Sequence, residues 1–278
     1  MTRLKEEDIK AIGHNLSAYD AHLTKMTGLT LKQIAMRATG LDEKETSDAL
    51  ASTIVGVIPI SSGQGIIKSF TEGVREILNY LGAKTFQSEM FDIGGLSEAV
   101  DRGASIIFCA DDQKFIALNL SLKKVVDNAE ATARGYVEAL EAAAKSLEGK
   151  EVLVIGGAGK VGWNAAIGLK KKGAYVSIYD IDLGRLSSLN TNYVVRVEKD
   201  LEKALEKYRI LFDASPVKDL IGAEHIKSET IIAAPGIPLG LTEEAYALVR
   251  DRLIHDPLQI GVATMLAEAL MNSRNDLN

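Results

Sequence analysis

The stretch EVLVIGGAGKVGWNAAIGLKKKGAYVSIYD, residues 151–180, leaves little freedom in how it folds. Val152, Leu153, Val154 and Ile155 form an unbroken apolar run, the pattern of a strand buried on both faces of a parallel sheet. Gly157, Gly159 and Gly162 follow in the order G-x-G-x-x-G. In that order the first glycine permits a tight turn, the second lets backbone approach a pyrophosphate, and the third lets the next helix lie close to the strand. Lys160 and Val161 open that helix, whose unpaired N–H groups and positive dipole end favour an anion. Val161, Ala165, Ala166 and Leu169 face the sheet, and Lys170 to Lys172 before Gly173 close the helix. A second apolar strand, Tyr175–Tyr179, ends at Asp180, close to the spacing of about twenty residues at which an acid meets an adenosine ribose. The unit reads as a dinucleotide grip, and the acid favours NAD. Asp180 also reads as an ordinary strand-end residue, and Asp182 with Arg185 leaves room for a phosphorylated ribose.

The doubly wound pattern continues with a helix over 183–189, a strand over 193–197, a helix over 198–208 and a strand over 210–214 that ends at Ser215-Pro216. The next strand, 230–234, runs into Pro235-Gly236-Ile237-Pro238, a proline-stiffened loop at the carboxyl edge of the sheet, where α/β folds bind ligands. Ser215, Pro216, Pro235, Gly236 and Ile237 therefore join the glycine turn as cofactor residues. A helix over 243–250, a strand over 253–255 and a helix over 261–271 complete this half. An alanine-rich helix from Asn128 to Gly149 connects it to what precedes. The expected division is 1–128 and 129–278: a smaller N-terminal domain, part helical and part α/β, and a C-terminal Rossmann domain.

The N-terminal half opens with a helix carrying Leu4, Ile9, Ile12, Leu16, Tyr19, Leu23 and Met26 at helical spacing, closed by Gly28. Thr30 with Gln33 forms a capping box for a helix running to Gly40. A polar stretch, 42–48, leads into a further helical turn. The segment IVGVIPISSGQGIIKSFTEGVREILNYLG, 54–82, then repeats the logic of strand, glycine loop and helix, with the helix starting near Ile66. Ser61 and Ser62 offer hydroxyls, and Gly63 and Gly65 let N–H groups converge, which makes either an anion cradle or a ligand-free βα turn. A strand over 85–90, a helix over 96–100 and a strand over 104–110 follow, the last ending in Asp111 and Asp112. Adjacent residues on an extended chain point to opposite sides, so one of these acids is expected to face the cleft, and Asp111 is favoured. Phe115 lies within reach, as does Asn119, read as a loop residue.

A chain of 278 residues exceeds the usual single-domain size. With 46% hydrophobic and 25% charged residues it reads as soluble and globular, and a net charge of −6 argues against a nucleic-acid surface. No run of about 18 apolar residues suggests a membrane span. The opening, with Arg3, Lys5, Glu6, Glu7 and Asp8, is no secretory signal, so the expected location is the cytoplasm. The single cysteine, Cys109, forms no internal disulfide, and His14, His22, His225 and His255 are too scattered to suggest a metal site. A small-molecule substrate, no metal and a homodimer assembled through amphipathic helices are expected.

The segments GLTLKQI, GVIPISSGQGIIKSF, IIFCADDQKFIALNL, the nucleotide unit, APGIP and DPLQIGVATML together resemble the pyrrolysine synthases, the NAD-dependent dehydrogenases of the last step of pyrrolysine biosynthesis, over nearly the full length. The resemblance implies oxidation of 3-methyl-ornithyl-lysine at the carbon bearing the terminal amine of its ornithine half. Ammonia release and ring closure would follow. It implies catalytic roles for Asp111, Ser62 and Asn119, and substrate contacts from Leu4, Ser61, Ser62, Gly63, Phe70, Asp111 and Asn119. No obvious His or Lys general base is present, so water is expected to carry protons. Two alternatives stand beside this reading. One is another two-domain dehydrogenase of shikimate or methylene-tetrahydrofolate type, although the lysine–aspartate pair of the former is missing. The other is a nicotinamide sensor without catalysis.

Overall fold

The computed structural model describes residues 4–10, 12–67, 69–189 and 196–271. Two compact units divide the chain, one of residues 1–22, 30–132 and 257–278, the other of residues 23–29 and 133–256. This differs from the expected boundary at the C-terminus, where residues 257–278 group with the first unit. Among the described residues no helix is long and apolar enough to cross a membrane.

In the first unit, α1 (Glu6–Ile9), α2 (Ile12–Thr27), α3 (Leu31–Thr39) and α4 (Glu43–Ser52) precede the first strand, β1 (Ile54–Ile58). The expected capping box forms at α3: Thr30 Oγ1 accepts the Gln33 N–H at 3.2 Å and Gln33 Oε1 accepts the Thr30 N–H at 3.0 Å. The polar stretch 42–48 is helical from Glu43 onward, because Thr46 and Leu50 give α4 a buried side. Then come α5 (Phe70–Tyr80), β2 (Lys84–Gln87), α6 (Asp92–Asp101), β3 (Ile106–Ala110), β4 (Phe115–Asn119) and β5 (Lys124–Asp127). The sheet order is β2-β1-β3-β4-β5, with β1 parallel to β2 and β3, and β4 antiparallel to both of its neighbours. The helix expected from Ile66 begins only at Phe70, since Gly63 and Gly65 take left-handed φ of 73° and 83° and hold the chain out of a helix.

Helix α7 (Asn128–Ala144) passes from the first unit into the second. The second unit continues with β6 (Glu151–Ile155), α8 (Lys160–Lys171), β7 (Tyr175–Tyr179), α9 (Leu183–Ser187), β8 (Arg196–Val197), α10 (Leu201–Lys207), β9 (Ile210–Asp213), β10 (Ile231–Ala233), α11 (Glu243–Val249) and β11 (Leu253–Ile254). Residues 193–195 of the strand expected before α10 lie outside the described residues. All strand pairs here are parallel, in the order β11-β10-β9-β6-β7-β8. The chain winds outward from β6 through β7 to β8, then crosses to β9 on the other flank and winds through β10 to β11. This is the doubly wound dinucleotide-binding order, with its topological switch between β6 and β9.

The last helix, α12 (Gln259–Leu270), packs on α3, α5 and β4 of the first unit. Apart from Glu268 in its last turn it is uncharged, and it is buried along most of its length, as expected of a helix apolar nearly all round. Gly261 lets it approach α7 closely, since a Cβ there would come within 2.6 Å of Thr132 Oγ1.

Candidate active site

At the carboxyl edge of the second sheet, the glycine loop folds tightly because two N–H groups, those of Gly156 and Gly157, share the Tyr179 carbonyl at 2.9 and 3.1 Å. The left-handed residue is Gly156, with φ of 77°, and a Cβ on it would come within 3.0 Å of the Ala214 carbonyl. Gly157 instead keeps β7 close, since its Cβ would stand 2.9 Å from that of Ile178. Gly159 is the N-cap of α8 in extended conformation, and no side chain caps this helix. The first-turn N–H groups, from Lys160 onward, are thus presented to a ligand. A Cβ on Gly162 would overlap the Gly156 carbonyl oxygen, so the close approach of helix and strand depends on glycine there. Asp180 sits just past β7, its Oδ2 accepting the Ala158 N–H and its Oδ1 the Asp182 N–H, both at 2.9 Å. The acid is thereby fixed at the rim of the glycine loop.

At the end of β9, Asp213 is completely buried. Its Oδ1 accepts the N–H of Ser215 at 3.0 Å and its hydroxyl at 2.7 Å. Beyond β10, the Gly236 N–H reaches the Asp213 carbonyl at 3.1 Å, and the Ile237–Pro238 peptide is cis. His255, at the end of β11, places Nδ1 2.6 Å from the Ala234 carbonyl. A carbonyl oxygen can only accept, so that nitrogen carries a hydrogen and donates.

The first sheet has its own carboxyl edge, where the loops after β1, β2 and β3 meet. Register places Ile58 beside Cys109 and Ala110 opposite Phe115. Ser61 donates its N–H to Asp92 Oδ1 at 2.8 Å and its hydroxyl to Asp92 Oδ2 at 2.5 Å. These bonds hold the Asp92 carboxyl below its ordinary range. The Gln64 N–H reaches Asp112 Oδ2 at 2.6 Å, and a Cβ on Gly63 would overlap that same carboxylate. Asp111 caps its own turn, with Oδ1 accepting the Gln113 and Lys114 N–H groups at 2.8 and 2.7 Å. The Lys114 bond, then the Gln113 bond, lowers its pKa, and the exposed group is anionic at neutral pH. Ser62 is exposed. The Phe70 ring meets Phe115 edge-on at 5.2 Å, below this edge.

Residues 8–126 match the family described as "Pyrrolysine biosynthesis protein PylD, N-terminal domain". The pyrrolysine synthase of Methanosarcina acetivorans is 34% identical over 271 residues, an alignment covering 97% of this chain and 100% of that relative. The chain belongs to the pyrrolysine synthase family. A second relative of that name, from Methanosarcina barkeri, is 33% identical over 97% of this chain and 98% of its own length. Solved structures place this family member among Rossmann-type dehydrogenase folds. Quinate dehydrogenase from Corynebacterium glutamicum in complex with NAD superposes with a TM-score of 0.52 at 15% identity, over 79% of this chain and 94% of that one. The bifunctional methylenetetrahydrofolate dehydrogenase/cyclohydrolase of Campylobacter jejuni gives 0.54 at 14% identity, over 92% and 99%.

Set against the residues expected of a pyrrolysine synthase, the structure brings Ser61, Ser62, Gly63 and Asp111 to one edge and leaves Asn119 out. Asn119 is no loop residue. It closes β4, paired with Ile106 at the far end of β3, five residues and about 17 Å along the chain from Asp111 at about 3.3 Å per residue. Its amide is engaged, Nδ2 donating to the Ala269 carbonyl at 2.9 Å and Oδ1 accepting the Leu122 N–H at 2.8 Å. It anchors α12. The alternation used to choose between Asp111 and Asp112 does not apply either, since both follow the end of β3 and Asp112 is the one facing the Ser/Gly loop. Leu4 stands half-buried just before α1. Of the cofactor residues, Gly157, Gly159, Gly162, Lys160, Val161 and Asp180 line the glycine turn, while Ser215, Pro216, Pro235, Gly236 and Ile237 form the loops after β9 and β10. Gly156, Asp92, Asp213 and His255 were missed. Asp213 and His255 carried a readable signal, each closing an apolar strand as Asp180 does.

Proposed function

We propose that this protein is an NAD-dependent dehydrogenase that oxidises the terminal amine carbon of 3-methyl-ornithyl-lysine. The observation that carries the reading is the pairing, in one chain of the pyrrolysine synthase family, of a backbone-built dinucleotide turn with an acidic edge formed by Asp92, Asp111 and Asp112. NAD, when bound, accepts the hydride. The remaining steps fall to the chain's own groups. Asp111, anionic and with Oδ2 outside its turn hydrogen bonds, holds the substrate ammonium in a charge-assisted bond. Its lowered pKa makes it a good cation partner and a weak base, so the ammonium proton passes to water. The Ser62 hydroxyl positions the amine, and Leu4 and Phe70 contribute apolar contact.

The amine carbon loses a hydride to give an iminium, and water adds to it and releases ammonium, leaving an aldehyde. Condensation of the aldehyde with the remaining ornithyl amine expels water and closes the pyrroline ring. Asp180 supports NAD over NADP, because a carboxylate fixed at the loop rim by Ala158 repels a 2′-phosphate. A homodimer belongs to the same proposal, supported by the exposed apolar row Ile93, Leu96 and Val100 on α6, and light scattering of the purified chain reads it. Reduced-cofactor absorbance with 3-methyl-ornithyl-lysine, shikimate or methylenetetrahydrofolate as substrate tests the activity. Turnover of the first alone supports the proposal; turnover of another, or NAD binding with no turnover, contradicts it.

A further inference from the structure

Asp213 has no part in the functions assigned above, yet its surroundings are specific. Its Oδ1 takes both donors of Ser215, and its main-chain carbonyl takes the Gly236 N–H. Its Oδ2 is buried with no hydrogen-bond partner among the described residues and lies against Gly240, where any Cβ would overlap it. One residue therefore touches the segment after β9 through Ser215 and the segment after β10 at both of its ends. A buried carboxylate oxygen left unpaired is costly, and a fold keeps it only where the surroundings fix the group in place.

We propose that Asp213 is the positioning residue that sets the Ser215-Pro216 and Pro235 to Gly240 loops against each other on the β9–β10 flank of the topological switch, opposite the Asp180 ribose acid and therefore the nicotinamide side of the cofactor site, acting through shape rather than charge. The inference rests on the dehydrogenase reading. Burial raises the pKa of this carboxyl, against the opposing pull of the Ser215 hydrogen bonds and of His255, which suits a group held as the neutral acid. Asparagine matches the neutral acid in outline, with a carbonyl for Ser215 and an amide in place of the orphaned oxygen.

Calorimetric titration of the full chain with NAD and with ADP-ribose, which keeps the adenosine and pyrophosphate but lacks nicotinamide, separates the two sides of the site. Asp213→Ala is expected to weaken NAD about tenfold and ADP-ribose by no more than about twofold, with Asp213→Asn near the parent for both. Equal weakening of both ligands by Asp213→Ala overturns the inference, as does no weakening of either, or Asp213→Asn as harmful as Asp213→Ala. If Asp213→Ala does not fold, Ser215→Ala, which removes one of the donors to Oδ1, must show the same split at about threefold, and its absence counts against the inference. A parent that binds neither ligand removes the dehydrogenase reading as well; a parent that binds both, with no split among the variants, removes this inference alone.

Discussion

The glycine turn after β6 and the Ser/Gly loop after β1 occupy equivalent places, each at the carboxyl end of a strand with parallel neighbours on both sides, yet they are held in different ways. The first is fixed by backbone on backbone: Tyr179 holds Gly156 and Gly157, and Gly162 admits the helix. The second is fixed by carboxylates from distant parts of the chain, Asp92 on Ser61 and Asp112 on Gln64. A backbone-made cradle tolerates almost no added side chain and offers N–H groups to an anion. A carboxylate-made loop is negative, exposed and adjustable, which suits an amine. Placing the two kinds of edge in one chain fits a cofactor with phosphates and a substrate with ammonium groups.

The largest expected effect breaks the first of these edges. Gly162→Ala forces a methyl group into the Gly156 carbonyl, so destabilisation of about 1–3 kcal/mol and loss of NAD binding are expected. Gly159→Val, whose Cβ would stand 3.2 Å from the same oxygen, should leave the fold intact and remove NAD binding. Calorimetry and thermal melts read both, and a folded Gly159→Val with parental NAD affinity dissolves the assigned phosphate site. Gly63→Ala is the counterpart: it meets only the Asp112 carboxylate and the cost of a left-handed alanine, about 1–2 kcal/mol. It should alter substrate affinity and spare NAD.

Next in size is Asp111→Asn, expected to lower kcat/KM at least about tenfold, or about 1.4 kcal/mol, with NAD affinity within about twofold of the parent. Because Asp112 holds the Gln64 N–H, Asp112→Asn should also be felt, but through loop placement, as a smaller rise in KM. Steady-state kinetics that show Asp112→Asn crippled and Asp111→Asn parental would exchange their roles. Asp180→Ala should narrow the preference for NAD over NADP by about tenfold or less, and equal efficiency with both cofactors in the parent contradicts the role given to that acid.

The smallest effects are in pH dependence, and they differ in sign between the edges. Asp92 and Asp111 have pKa values lowered from 3.8, so what they contribute is present above that value and lost as pH falls through their folded pKa. Asp213 is raised from 3.8, so its contribution is present below that value and lost as pH rises through its folded pKa. Thermal melts followed as pH rises above 3.8 should therefore show a decline in the parent that Asp213→Asn lacks. Parallel curves for the two proteins would remove the neutral-acid assignment.

What the sequence discloses follows from how local the cause is. The β6 turn, α8, β7 and Asp180 lie within one short segment, and their spacing is the geometry. Even there the spacing does not say which glycine turns left-handed, and Gly156 rather than Gly157 does. The Ser61–Asp92 bond joins residues 31 apart, beyond the reach of any periodicity. Asn119 looked like a loop polar residue because it interrupts the apolar run, and FIALN has no apolar–polar alternation to announce the alternating burial that β4 shows once folded. The helix α12 is apolar over most of its surface, so its pattern could not say which sheet it covers, and it went to the first unit.

The central claim is that an acidic edge and a nucleotide turn in this chain serve one oxidation, and the direct test is single-turnover reduction of NAD by the purified protein with 3-methyl-ornithyl-lysine. The account predicts a stoichiometric rise in reduced cofactor with release of ammonium, abolished by Gly159→Val and strongly depressed by Asp111→Asn. Reduction of NAD that is indifferent to Asp111, or ammonium release without reduced cofactor, would contradict it.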